Sequence, residues 1–127
     1  MPKVAMIRCE KNAAKCPQTS CFAAMTSKKE GFQIYREDCI PAGVFTCHCP
    51  GDCTVEQGNV LKSKGVDAIH FCTCTFATKG GGGWDMGNGG FCENIDKIIE
   101  RVHQETGVPC VKGTAHLPKD YTIQKWD

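Results

Sequence analysis

The sequence lacks the features that would place it at once among membrane or nucleic-acid-binding proteins. It has no apolar run long enough to cross a bilayer, so we expect no membrane span. It also lacks an excess of charge of one sign, with 15 basic and 14 acidic residues, so no field steers it towards nucleic acid or an anionic membrane. We therefore expect neither of these as a partner.

The sequence also lacks the common signatures of catalysis and metal binding. It contains no serine-centred nucleophile elbow, no phosphate-binding Gly-Lys-Ser/Thr and no cysteine phosphatase loop. It contains no Cys-x-x-Cys, which excludes the thioredoxin motif, the usual zinc ribbons and the bacterial ferredoxin run. No enzymatic activity is indicated, and if there is one we expect redox chemistry.

Cysteine is what the chain has in excess, with 11 among 127 residues. An odd number cannot all pair within one chain, and a chain of this length needs no disulfide in order to fold. The first residues show no signal-peptide pattern, so we expect a reducing cytoplasm, where thiols bind metal or do redox chemistry. A disulfide scaffold in a secreted protein is the alternative.

Strand and helix patterns alternate along the chain and predict a single α/β domain over residues 1–127. Strands are predicted at residues 3–9, 40–46, 66–72 and 108–111. Because helices separate them, the strands should be parallel with right-handed crossovers. The predicted fold is a small doubly wound, flavodoxin- or Rossmann-like three-layer sandwich with about four parallel strands, in the order 2-1-3-4.

The connections between these strands are read from caps and breakers. Helices are predicted to begin at Ser20, at Asp52 or Thr54, and at Asn94, and to end near Gly31, Gly65 and Gly107. Residues 10–19 and the glycine-rich residues 79–90 are predicted to be loops, and residues 115–127 a tail without a clear period.

This topology gathers most of the cysteines at one edge of the sheet. Ligands of open α/β sheets bind outside the carboxyl ends of the strands. Nine cysteines end a predicted strand or lie in the connection after it: Cys9, Cys16, Cys21, Cys47, Cys49, Cys53, Cys72, Cys74 and Cys92. Cys39 and Cys110 fall at strand starts, where we predict ordinary buried thiols.

Nine thiols crowded together repel one another as thiolates unless a cation neutralises them or they oxidise in pairs. A metal supplies that cation, and thiolate is the softest side-chain ligand. A closed zinc site needs only four ligands, so nine candidates favour one or more iron–sulfur clusters. The leading candidate ligands are Cys9, Cys47, Cys49, Cys72 and Cys74, followed by Cys16, Cys21, Cys53 and Cys92.

Such a centre would serve electron transfer, redox sensing or cluster handling with an unidentified redox partner. The sequence does not decide whether the chain forms a homodimer. A zinc site is the first alternative, and a metal-free thiol/disulfide redox enzyme is the second. His48 and His116 are further candidate ligands, whereas His70 lies within a strand and is predicted to be a hydrogen-bonded buried imidazole. The glycines of residues 79–90 offer backbone N–H groups to a cluster, or form a surface loop.

At these residues the sequence resembles the CGGC-domain proteins of bacteria and archaea, from about residue 4 to residue 116. The resemblance rests on the order and spacing of Ile7-Arg8-Cys9, Cys16, Cys21-Phe22, Thr46-Cys47, Cys49-Pro50-Gly51, Ile69-His70, Cys74, the helix after Cys92, Thr106-Gly107 and Gly113-Thr114. Where the family has Cys-Gly-Gly-Cys, this chain has Cys47-His48-Cys49, and the family's Gly-Thr-His is Gly113-Thr114-Ala115-His116.

The resemblance implies a cysteine- and histidine-rich domain that binds metal and has no established reaction. It carries over as candidate sites Cys9, Cys16, Cys21, Cys47, Cys49, Cys74, Cys92, His70 and His116. Cys53, Cys72 and the long glycine-rich segment are additions to the family's pattern. These departures are compatible with a larger or different centre than one shared zinc site.

Overall fold

The computed structural model describes residues 1–80, 83–85, 90, 92, 94–119 and 121–127. Its strands are β1 (Lys3–Cys9), β2 (Ile40–Cys47), β3 (Ala68–Phe71), β4 (Thr78–Gly80), β5 (Gly83–Asp85), β6 (Cys110–Lys112) and β7 (Gln124–Trp126). Its helices are α1 (Glu10–Ala13), α2 (Thr19–Ser27), α3 (Thr54–Ser63) and α4 (Ile95–Thr106), with 3₁₀ turns at Glu30–Phe32 and Thr73–Thr75. No helix in the described segments is both long and apolar enough to cross a membrane.

Five strands form the central sheet in the order β2-β1-β3-β6-β7. β1 pairs in parallel with β2 and β3, β3 pairs in parallel with β6, and β7 runs antiparallel to β6. The four parallel strands are the four predicted from apolar runs, and they lie in the predicted order. An α/β domain with a mostly parallel sheet is therefore confirmed.

β1 is the centre of the core because both of its faces are covered. Ala5 and Ile7 belong to a hydrophobic cluster that includes residues of α3 and α4. Val4 and Met6 belong to a second cluster that includes residues of α2. Alternate residues of a strand point to opposite faces, so the sheet divides the interior into two cores.

Helix α4 is the element that the sequence predicts best. Ile95, Ile99 and Val102 are buried along one face, Asn94 is the N-cap residue, and Gly107 ends the helix with a left-handed φ of 75°. The prediction for α2 is less accurate. That helix ends at Ser27 rather than near Gly31, because Lys28 already adopts a left-handed conformation and its N–H bonds to the last carbonyls.

Three predicted irregular segments contain regular structure, which corrects the prediction. α1 follows β1 directly within the predicted loop 10–19. β4 and β5 pair as a short antiparallel ribbon within the glycine-rich segment, of which residues 81, 82 and 86–89 lie outside the described residues. β7 lies in the predicted tail. Each strand of this group is only three residues long and has too little sequence of its own to show a period.

Candidate functional site

The carboxyl ends of the parallel strands bring the candidate thiols to one edge of the sheet. Cys9 at the end of β1 lies beside Cys47 at the end of β2, and Cys72 directly follows β3. Cys39 precedes β2 and Cys110 begins β6, both at the opposite edge. The placement of the strands therefore agrees with the expected rim of cysteines.

The rim thiols divide between two clefts rather than forming one group. The first cleft, of about 490 Å³, is lined by Cys9, Cys47, Cys49 and Cys92. The second cleft, of about 260 Å³, is lined by Cys16, Cys21, Cys72 and Cys74. The cause is the alternation of side chains in the strands, which places Ile7 and Phe71 at the first cleft and Arg8 at the second. Cys53, the N-cap residue of α3, lines neither cleft.

The thiols of each cleft line the same space, but their sulfur atoms are not arranged as the ligands of one metal ion. Within the described segments, no group of three or more His, Cys, Asp or Glu side chains is arranged to hold a metal ion. Both clefts nevertheless supply four soft sulfur donors, which is the donor chemistry of zinc and of iron–sulfur clusters. A metal would have to bring the sulfurs closer together.

Glu10, the first residue of α1, holds the loop that carries two thiols of the first cleft. Its carboxylate lies 2.5 Å from His48 Nδ1 and accepts a 3.2 Å hydrogen bond from the Cys49 N–H. These hydrogen bonds lower the pKa of Glu10. His48 is exposed and turned towards Glu10, so its imidazole supports the loop and lines neither cleft.

Gly51 allows the same loop to turn tightly against α4. Its φ is +93°, and a Cβ there would lie 2.8 Å from Ile98 Cδ1 and 3.5 Å from Cys47 Sγ. Its N–H donates to the His48 carbonyl over 2.6 Å. A Cβ at this position would displace the end of the Ile98 side chain, and the left-handed φ disfavours any other residue, so the turn favours glycine.

Burial raises the pKa of two thiols of the first cleft, Cys9 and Cys47. Burial is the largest cause that raises the pKa of Cys9, and the nearby Cys49 and Cys92 thiols raise it further. Burial also raises the pKa of Cys47, against a hydrogen bond with Thr54 that lowers it. Each of these thiols opposes the ionisation of its neighbours, and a cation in the cleft would reverse that balance.

The second cleft contains two thiols that have hydrogen-bond partners. Cys21, in the first turn of α2, lies 3.1 Å from Thr114 Oγ1, and the buried Cys72 sulfur accepts a 3.3 Å hydrogen bond from Gln18 Nε2. The interaction with Cys72 is the largest cause that lowers the pKa of Cys21 to about 6, and the interaction with Cys21 raises the pKa of Cys72.

Cys74 joins the two clefts at the end of β1. Burial raises the pKa of its thiol, whereas the backbone of Cys9 and the side chain of Asn12 lower it, and Cys9 and Cys74 belong to the same buried cluster. The Cys9 side chain lines the first cleft, while its backbone contacts a sulfur that lines the second. The clefts are therefore separate spaces with a shared wall.

His70 is a structural residue, as predicted. It is fully buried, with Nδ1 2.9 Å from the Gly113 carbonyl and Nε2 2.8 Å from the Tyr35 hydroxyl, and it stacks on Phe32. Burial lowers the pKa of His70 to about 4. Both ring nitrogens are engaged, so His70 has no lone pair left for a metal. His116 is exposed at the rim of the second cleft.

Comparison with known proteins agrees with the resemblance found in the sequence. A family model for the CGGC domain matches residues 3–115. The chain belongs to the CGGC domain family. An uncharacterized protein of Methanocaldococcus jannaschii is 31% identical to this CGGC-domain protein over 125 residues, which cover 92% of this chain and 89% of the relative. No solved structure matches. A CGGC domain with this many cysteines indicates metal binding.

Sequence reasoning missed several residues that position the thiols of this CGGC-domain protein. The sequence predicts a loop at Glu10, and no local pattern marks Gln18 or Thr114 as a partner of cysteine sulfur. Arg8 donates to the Cys16 carbonyl over 3.0 Å and to Thr46 Oγ1 over 3.2 Å, which anchors the loop after α1. Arg8 and Thr114 have a signal in the sequence, since each lies within a motif that resembles the CGGC family.

Proposed function

We propose that the first cleft is a metal centre held by Cys9, Cys47, Cys49 and Cys92. The observation that carries this proposal is that four thiols from separate segments of the chain line one cleft at the carboxyl edge of the sheet. Membership of the CGGC domain family supports a metal-binding role. The cleft lies where ligands bind in open α/β sheets.

The first cleft suits a metal better than the second because its sulfurs have fewer other partners. Cys9 and Cys47 are buried thiols whose ionisation is opposed by neighbouring thiols. A cation removes that repulsion and converts the thiols into thiolate ligands. In the second cleft, a metal would displace the hydrogen bonds that Cys21 and Cys72 already make.

We infer that the metal is iron in an iron–sulfur cluster that serves electron transfer, redox sensing or cluster handling. A single zinc ion needs four sulfurs at about 2.3 Å from one point. The cleft of about 490 Å³ is roomier than that, and a cluster reaches sulfurs that lie further apart. When bound, such a cluster supplies one-electron chemistry. Zinc is the second candidate, favoured by the count of four thiols.

The residues of the cleft wall have separate roles in this proposal. Glu10 holds the Cys47–Cys49 loop through the Cys49 N–H. The side chains of Ile7 and Phe71 form an apolar floor that keeps water away from buried sulfur. Lys11 also lines the cleft, and its charge lowers the pKa of Cys9 against the effect of burial.

The remaining expectations form part of the same proposal. All 11 cysteines are unpaired, which supports a reducing compartment such as the cytoplasm. Hydrophobic cores on both faces of the sheet support a doubly wound, flavodoxin-like arrangement. An unidentified redox partner would exchange electrons with the centre.

The test is metal analysis of matched variants purified without oxygen. Iron, zinc and acid-labile sulfide are measured per chain in the wild type, in Cys47→Ser and Cys92→Ser, and in Cys39→Ser as a control from the opposite edge. We expect iron and sulfide in matching amounts in the wild type and the control, and loss of most of both in the two cleft variants.

Stoichiometric zinc without sulfide, lost in the same two variants, would replace the cluster with the zinc alternative. A wild-type protein that holds neither metal after reconstitution would refute a metal centre. Metal that survives both Cys47→Ser and Cys92→Ser would refute the assignment to the first cleft.

A further inference from the structure

The second cleft contains a pair of thiols with unequal surroundings. Cys72 is 2% exposed and Cys21 is half-buried at the cleft wall. Both side chains line this cleft, and Cys21 packs against the buried cluster that contains Cys72. Both are unpaired in the structure. An accessible thiol in contact with a buried one is the arrangement of an attacking and a resolving cysteine.

Hydrogen-bond donors surround the sulfur of Cys21. They are the Thr114 hydroxyl at 3.1 Å, the backbone N–H of Ala115 and the thiol of Cys72. Cys21 also lies in the first turn of the nine-residue helix α2, where the helix dipole favours a negative charge. These contacts stabilise a thiolate at Cys21, and its pKa is lowered to about 6.

Cys72 is held in place as the partner. Gln18 is 4% exposed, and its Nε2 donates to the Cys72 sulfur over 3.3 Å. The pKa of Cys72 is raised, first by its interaction with Cys21 and then by burial. The pair therefore shares one proton, which lies on Cys72 while Cys21 is the nucleophile.

We propose that Cys21 and Cys72 form a redox-active dithiol in which Cys21 attacks a small disulfide and Cys72 resolves the product. In the first step, the Cys21 thiolate bonds to one sulfur of the disulfide, whose S–S bond breaks to release one thiolate. In the second, Cys72 bonds to the Cys21 sulfur and expels the other substrate half, and the Cys72 proton passes to a departing thiolate. Two cysteine thiols are oxidised to one disulfide, and one small disulfide is reduced to two thiols.

The cleft limits which disulfide can react. Its volume of about 260 Å³ admits a low-molecular-weight disulfide rather than a protein segment. The exposed lining is mostly apolar, and Arg8, Thr19 and Ser20 are among the residues that line it with Cys21. A small dithiol restores the pair by the same exchange in reverse.

The pH at which Cys21 reacts distinguishes it from an ordinary thiol. A thiol with a pKa of about 6 is mostly ionised at neutral pH, but its lower basicity reduces its nucleophilicity, so its net advantage there is only about fourfold. At about pH 5.5 the advantage over a thiol with a pKa of about 9 grows to roughly 30-fold, because so few ordinary thiols are ionised. Mild acid is therefore the discriminating condition.

The experiment uses the full chain, reduced and desalted, with bis(2-hydroxyethyl) disulfide as the probe at about pH 5.5. After acid quenching and alkylation, peptide mass spectrometry locates every modified cysteine. We expect a Cys21–Cys72 disulfide to form first in the wild type and in the Cys39→Ser control. The Cys72→Ser variant should accumulate a mixed disulfide on Cys21, and Cys21→Ser should lose the fast reaction.

Two outcomes would overturn the proposal, and the first needs no variant. One is a first disulfide in the wild type that joins a different pair, such as Cys16 with Cys21. The other is that a bound metal protects Cys21 and Cys72 from alkylation in the anaerobically isolated protein. In that case a chelator would remove the metal and make both thiols reactive. A failure of metal binding in the first cleft changes neither result, so this proposal and the proposed metal centre are tested separately.

Discussion

The buried imidazole of His70 should make the stability of the protein depend on pH in mild acid. The pKa of His70 falls from 6.5 to about 4 in the folded protein, chiefly because burial opposes the charged form. The unfolded chain therefore takes up a proton as the pH falls below 6.5, whereas the folded protein does not until the pH approaches 4. The contribution of His70 is fully present above pH 6.5 and is lost between pH 6.5 and 4.

The size of the loss follows from that shift. Between about pH 7.5 and about pH 5, the free energy of unfolding should fall by about 2 kcal/mol from this group. No discount for solvent applies, since His70 is 0% exposed. The hydrogen bond to the Gly113 carbonyl acts in the opposite direction but is weaker than burial. The pKa of Glu10 and of Asp38 is also lowered, but these carboxyl groups titrate below this window.

The assay is urea unfolding at the two pH values, with reductant and chelator present so that disulfides and bound metals do not contribute. The Cys21 thiol, whose pKa is lowered to about 6, also titrates in this window, so the contribution of His70 is taken from the difference between the wild type and a variant. His70→Asn is the comparison variant, because its amide can still donate to the Gly113 carbonyl. We expect the variant to lose about 2 kcal/mol less than the wild type over the same interval. Equal losses in both proteins would refute the reasoning. If the variant does not fold, the imidazole of the wild type must remain neutral by NMR at about pH 5.

Two further predictions concern packing. Ile99→Ala removes a fully buried side chain of α4 and should lower the free energy of unfolding by about 2–5 kcal/mol, measured by chemical denaturation. The control Val60→Ala, at a 40% exposed position, should change it by about 0.5 kcal/mol or less. Similar losses in the two variants would contradict the described core. Gly31→Ala places a Cβ against the Gly113 carbonyl oxygen and should destabilise the protein by more than about 1 kcal/mol. A thermal midpoint like that of the wild type would show that this contact is not as close as described.

The sequence predicts the elements that have their own pattern. β1 contains an unbroken apolar run, Val4–Ile7, that is buried on both faces of the sheet, and α4 shows its period, its cap and its final glycine. β7 has no such pattern because its pairing with β6, not its composition, makes it a strand. Propensity alone is a weak guide for strands of this length.

The rim of cysteines is predictable because it depends only on where strands end. The division into two clefts is not, because it depends on the direction in which each side chain leaves the strand end and the loop after it. Cys47 and Cys49 line the same cleft, and Glu10 holds the loop between β2 and α3 that carries Cys49. Contacts between residues so far apart in the sequence leave no trace in local spacing.

The packing of Cys9 and Cys74 in one buried cluster has a thermodynamic consequence. One peptide group touches the walls of both clefts, so a ligand that shifts Cys9 also changes the surroundings of the second group of thiols. Linkage is reciprocal: by whatever factor occupancy of one cleft alters the equilibrium in the other, the second alters the first by the same factor. In a chain with both activities, the affinity of the first cleft for metal would thus differ between the reduced and the oxidised forms of the thiols in the second cleft.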